Sequence, residues 1–183
     1  MSILREATLE KHKKVESLPF IQYLMHGKVT EENYKIYLAE MLIIYQHLEC
    51  LADLAGIFSD IEELPRAKKM KEDLAELDPD CEAPLCESTL EYLTYLTSLY
   101  NTNRKSDLLA HVYVRHLGDM YGGKIISRKV PGSAHWFQFD NRRSLNKRFT
   151  SKLHHDLVPE ALNAFNYFEK IFQELYQKID TST

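Results

Sequence analysis

The sequence predicts an all-α fold in a single domain spanning residues 1–183. Three observations carry that prediction. Apolar residues recur at spacings of three and four along most of the chain, the period of a half-buried helix. The breaks between those segments hold helix start and stop residues such as Thr30, Pro19, Pro65, Gly27 and the Pro131-Gly132 pair. Strand-like alternation is confined to Trp136-Phe137-Gln138-Phe139, too short for a sheet.

Taken in order, Ser2 caps a first helix that carries Leu4, Ala7, Thr8, His12 and Val15. Pro19 suits the first turn of a second, Ser17 to Met25, which Gly27 stops. Thr30, with Glu31 and Glu32 behind it, opens a long helix that runs through Tyr34, Met41 and Leu48 to Leu54. Pro65 begins the next, through Met70, Leu74 and Leu77, ending before Pro79. Leu90 to Tyr100 forms another. Ser106 or Asp107 caps a long helix to Val130, closed by Pro131-Gly132. Asn141 to about His155 and Pro159 to Ile179 supply the last two.

Composition narrows the function. With 44% hydrophobic and 27% charged residues the chain reads as an ordinary globular protein. A net charge of −4 argues against a general nucleic-acid binder. The N-terminus lacks a signal-peptide core, and the most apolar run, Met41 to Leu48, lies between Glu40 and Glu49, too short for a bilayer. Cys50, Cys81 and Cys86 are odd in number and lack C-x-x-C spacing, which favours reduced thiols. The expectation is a soluble, cytoplasmic monomer with no membrane anchor.

The helix from Ser106 to Val130 holds three of the chain's six glycines, in Leu117-Gly118-Asp119-Met120-Tyr121-Gly122-Gly123-Lys124. Each glycine costs a helix interior roughly 1 kcal/mol relative to alanine. Gly118 and Gly122 are four apart and share a face, and Asp119 lies between them. Helix packing accounts for missing side chains but not for the carboxylate, so the stretch suggests a helix approached closely by a ligand. His12 stands out among eight histidines because Glu16 follows four residues later, within reach of one imidazole nitrogen. That arrangement suits an axial metal ligand, although the spacing is common. No glutamate has a histidine three residues later, which excludes the di-iron bundle pattern. Zinc-protease and phosphate-loop motifs are also missing. Arg142, Arg143, Lys147, Arg148 and Lys152 form a basic run that reads as a solvated face, an anion site or a docking surface.

Together these segments resemble the haem oxygenase family over nearly the whole chain. The resemblance rests on Leu4-Arg5-Glu6-Ala7-Thr8 with His12 and Glu16, and on Tyr113-Val114-Arg115-His116-Leu117-Gly118-Asp119-Met120-Tyr121-Gly122-Gly123. Ile44 to Glu49, Ala164-Phe165 and Phe172 to Leu175 support it. It implies a helical bundle holding haem between a proximal N-terminal helix and a glycine-bearing distal helix, with His12 as iron ligand. It implies haem contacts from Arg5, Glu16, Tyr113, Arg115, Gly123, Lys147 and Phe165. Gly118 and Gly122 would admit the porphyrin, and Asp119 would order waters that deliver protons. Haem would be cofactor and substrate together, consumed with O2 and electrons from an external donor such as ferredoxin. Biliverdin, CO and iron would be the products, with cleavage at the α meso carbon.

Three positions depart from the family pattern. Leu9 stands where a propionate-binding lysine is common, Thr150 where an arginine usually follows the aromatic, and Tyr121 where a small residue is usual. Two other classes compete: a haem-binding or storage protein without turnover, and a cofactor-processing enzyme of the wider helical superfamily using Cys50 or Glu49. Storage needs no carboxylate on a cleared face, which favours the enzyme.

Overall fold

The Thr30 hydroxyl accepts the Asn33 N–H at 3.2 Å and starts a helix of 24 residues, as its place ahead of two glutamates predicts. A computed structural model describes residues 3–180, so the Ser2 cap lies outside the described residues. The order is α1 (Ile3–Ala7), α2 (Leu9–Glu16), α3 (Pro19–Met25), α4 (Glu31–Leu54), α5 (Ala67–Leu77) and α6 (Glu87–Asn101). Then come α7 (Leu108–Val112), a π turn (Tyr113–Leu117), α8 (Gly118–Ile126), α9 (Arg142–Thr150) and α10 (Val158–Asp180). Short 3-10 turns occupy Lys105–Asp107, His135–Phe137 and His155–Leu157, and no strand occurs among the described residues.

Several boundaries differ from the sequence reading. The first helix bends at Thr8, whose hydroxyl donates to the Leu4 carbonyl at 2.7 Å and competes with the backbone ladder there. The glycine-bearing helix is not one regular rod: it widens into the π turn immediately before Gly118 and ends at Ile126 instead of Val130. Asp107 makes no cap bond to it and pairs with Arg104 at 2.7 Å. The helix expected to reach His155 ends at Thr150, and α6 starts at Glu87, ahead of Leu90. Trp136-Phe137 forms a 3-10 turn.

Long-range carboxylates do the capping that local residues do not. Glu40 of α4 is fully buried and accepts from the Leu85 and Cys86 N–H groups ahead of α6. Glu174 of α10 accepts from the Glu87 and Ser88 N–H groups at 2.8 and 3.0 Å. Glu49 accepts from the Arg66 and Ala67 N–H groups at the head of α5. A carboxylate at a helix start meets unpaired N–H donors and the positive end of the helix dipole, so these acids lock α4, α5, α6 and α10 together. Between α4 and α10 lies the aromatic core, where Phe20 stacks on Phe172 at 5.9 Å and Tyr92 meets Phe168 edge-on at 5.3 Å. That frame leaves α2 and α8 facing each other across a gap.

Candidate functional site

The gap is a cavity of about 940 Å³ whose walls come from α2, α8, α9 and α10. It falls at the upper end of the range for small-molecule and cofactor sites. His12 stands on the α2 wall, 47% exposed at the side chain, with Nδ1 3.4 Å from Glu16 Oε2. Nδ1 is thereby oriented by a carboxylate, leaving Nε2 as the nitrogen open to a ligand. Phe165 of α10 meets the imidazole edge-on at 6.0 Å. Lys11 donates to Asn166 at 2.6 Å and Lys14 pairs with Glu169 at 2.5 Å, which ties α2 to α10 on either side of His12.

On the opposite wall, the three glycines divide into two kinds. A Cβ built on Gly118 or Gly122 meets no heavy atom within 4 Å, and both residues line the cavity. A Cβ on Gly123 would sit 2.2 Å from Phe137 Cδ1. Gly123 also lines the cavity, but its missing side chain is required by the packing of α8 on the His135–Phe137 turn. Its backbone remains on the lining, so the packing role stands beside the expected ligand contact.

Asp119 is buried at the cavity wall, where its Oδ2 accepts a hydrogen bond from the Tyr45 hydroxyl. Its Oδ1 lies 3.7 Å from Arg115 Nη2. Burial raises the Asp119 carboxyl above its ordinary value, against the opposing pull of Arg115 and the Tyr45 bond. Burial likewise raises Tyr45, so the phenol keeps its proton and donates. Arg115 gives Nε–H to the Tyr45 oxygen at 3.2 Å and lies 4.2 Å over the Phe168 ring. Its guanidinium is thus engaged with Tyr45, Asp119 and Phe168, and Arg115 also lines the cavity, where the resemblance implies a haem contact.

Tyr113 is buried at the cavity edge, and Arg5 and Lys147 are exposed cations on its lining. Asn146 lines it too, and its buried Oδ1 has no hydrogen-bond partner among the described residues. The basic run on and just after α9 is divided: Arg148 pairs with Glu63 and Lys152 with Asp60, while Arg142 lies 4.7 Å over the Tyr121 ring. Only Lys147 of that run lines the cavity. Leu9 and Tyr121 expose apolar surface at the rim. Sequence reasoning missed Tyr45 as the Asp119 donor, because its place on the apolar face of α4 reads as plain core. Cys50, Cys81 and Cys86 are free thiols.

No helix among the described residues is long and apolar enough to cross a membrane. Comparison with known proteins matches this arrangement. The model of the family described as Heme oxygenase matches residues 1–174. Heme oxygenase 1 of Pongo abelii is 27% identical over 213 residues, covering 98% of this chain and 73% of the relative. The heme oxygenase of Guillardia theta is 25% identical, covering 94% of this chain and 84% of the relative. Among solved structures, heme oxygenase-1 of the cyanobacterium Synechocystis in complex with heme superposes with a TM-score of 0.83 at 22% identity, covering 98% of this chain and 93% of that one. The Leptospira interrogans heme oxygenase gives 0.81 at 24% identity, covering 95% and 100%. The fold is theirs, and the family model spans nearly the whole sequence: this chain belongs to the haem oxygenase family of haem-degrading oxidoreductases.

Proposed function

We propose that the protein opens haem to biliverdin with release of CO and ferrous iron, using O2 and electrons from an external ferredoxin-type donor. One observation carries the reading: a cavity of about 940 Å³ has an imidazole on one wall and, on the other, two glycines with empty Cβ positions beside a buried carboxylate. The residues fit the group. The aromatic floor of Phe165 and Phe168 suits a flat apolar macrocycle, His12 Nε2 suits its iron, and Arg5 and Lys147 suit its carboxylates. When bound, haem brings a redox-active iron and is itself the molecule consumed.

The chain's own groups then have distinct tasks. His12 holds the iron side, with Glu16 fixing the ring through Nδ1. Gly118 and Gly122, with no side chain projecting into the cavity, would let the bound haem lie close to the α8 backbone. Asp119, its Oδ2 occupied by Tyr45, offers Oδ1 to order water and pass protons into the cavity. Arg5 and Lys147 would orient the macrocycle through its two carboxylates and, with Thr150 in the place of the arginine that usually follows the aromatic, would decide which meso carbon is presented. Lys124 and Arg128, exposed on and beyond α8, form the donor-facing patch, whereas Lys129 donates to the Met25 carbonyl at 2.6 Å. The test is to load the protein with haemin and add ferredoxin, its reductase and NADPH. Loss of the Soret band with rise of a bilin band supports the reading. A stable haem complex under the same conditions identifies a storage protein instead.

A further inference from the structure

His116 lies in the π turn and is fully buried. Its Nδ1 is 3.2 Å from the Val112 carbonyl oxygen and its Nε2 is 2.8 Å from Glu49 Oε1. Both partners are acceptors, so each ring nitrogen needs a proton to make its contact. Glu49 Oε1 also accepts the Arg66 N–H at 2.6 Å, and Oε2 accepts the Ala67 N–H at 3.0 Å. Both carboxylate oxygens of Glu49 thus act as acceptors toward backbone donors. The proton of the pair therefore sits on the imidazole. The ring lies 5.2 Å from the Tyr45 ring and 6.2 Å from Phe58, and Tyr45 is the donor to Asp119.

We propose that His116 is a positioning residue for the distal carboxylate, an imidazolium clamped between Val112 and Glu49 that braces the Tyr45 ring and so aims its hydroxyl at Asp119. The inference rests on the proposed haem oxygenase activity and adds to it a role for His116. Through Glu49, the head of α5 is joined to the distal wall. The ionisable groups around His116 are Glu49 and Tyr45 of α4, Arg66 at the head of α5, and Arg115 and Asp119 of its own helical run. Its charge adds to that of Arg115 in offsetting the burial of Asp119. His116 meets Glu49 and Tyr45 of α4 from within the π turn, while Asp119, three positions on, lines the cavity.

Two measurements test the proposal. Nitrogen-15 NMR of the haem-free protein at neutral pH should show His116 with both ring nitrogens protonated, and E49Q should turn it into a neutral tautomer. In the haem-loaded enzyme, H116F should keep the histidine-ligated spectrum and haem affinity but lower bilin formed per electron roughly tenfold, the scale of losing an outer-shell partner. The lost electrons should appear as peroxide. H116Q, whose amide can still donate to Glu49, should restore part of the yield. A neutral His116 in the unmodified protein overturns the proposal, as does an H116F enzyme with unchanged bilin yield per electron. Should H116F not fold, the NMR result and H116Q decide. If the unmodified protein makes no bilin at all, the proposed function falls, and the NMR measurement still decides the imidazolium on its own.

Discussion

The Tyr45 hydroxyl donates to Asp119 across 74 residues of sequence, joining the middle of α4 to the start of α8 at the cavity wall. The bond occupies one carboxylate oxygen and leaves the other near Arg115, so the carboxylate is oriented before any ligand arrives. Preorganised polar groups of this kind cost nothing to arrange when the reaction needs them.

Replacing Asp119 should therefore separate binding from turnover. D119A should bind haemin as the unmodified protein does, and should divert electrons to peroxide instead of bilin. D119N should also match or exceed the unmodified protein in stability at neutral pH. The sign follows from burial: a carboxyl raised in the folded state holds its charge at a cost above that raised value, and the amide carries no charge. Thermal melts and bilin yields check both parts. An Asp119→Ala enzyme making bilin at full yield would remove the proton role.

The glycines give a paired prediction. G118A and G122A place a methyl in open space, so the haem-free protein should gain up to about 1 kcal/mol from helix propensity. Both should lose haem affinity or turnover. G123A drives its methyl into Phe137 and should cost about 1–3 kcal/mol of stability before any ligand is added. Denaturant melts of the haem-free variants, followed by haemin titration, distinguish the two kinds.

These contrasts show which features were legible in the sequence. The helical class followed from apolar spacing, and the Thr30 cap from a hydroxyl ahead of two acids. His12 with Glu16, and Asp119 between Gly118 and Gly122, were readable because their partners are four residues away or fewer. Tyr45 with Asp119, and Glu49 with His116, were not, because partners 74 and 67 residues apart leave no local pattern. The π turn was invisible for a related reason: one extra residue in one turn barely disturbs apolar periodicity. Gly123 looked like its neighbours until Phe137, on a separate turn, filled the place of its side chain.

Acid should unfold the protein in two stages through a buried cluster on α6, α7 and α10. His111 bridges the Tyr92 hydroxyl at 2.8 Å and Glu160 at 2.9 Å. Burial lowers His111 from its ordinary 6.5. Burial alone would raise Glu160, but bonds from His111, Asn163 and Tyr95 bring it down from 4.5 to about 2. Both groups bind protons more readily unfolded, so each contributes stability at higher pH that is lost on acidification. The His111 share fades below about 6.5, and the Glu160 share between 4.5 and 2. E160Q should flatten the lower stage of a stability-against-pH curve; an unchanged lower stage would assign it to other carboxylates.

His12→Ala should abolish the histidine-ligated haem spectrum, and added imidazole should restore part of it by entering the space left on α2. A variant that kept the original spectrum and rate would show that another residue holds the iron.

The central claim is that the cavity consumes haem and does not merely hold it, and carbon monoxide release tests this most directly. The haem-loaded protein is supplied with O2 and a reduced ferredoxin, the gas is trapped on deoxymyoglobin, and the bilin is quantified in the same sample. The account predicts equal amounts of CO and biliverdin for each haem lost, and neither product from D119A above a small residue. Haem that survives, or that bleaches without releasing CO, would contradict it.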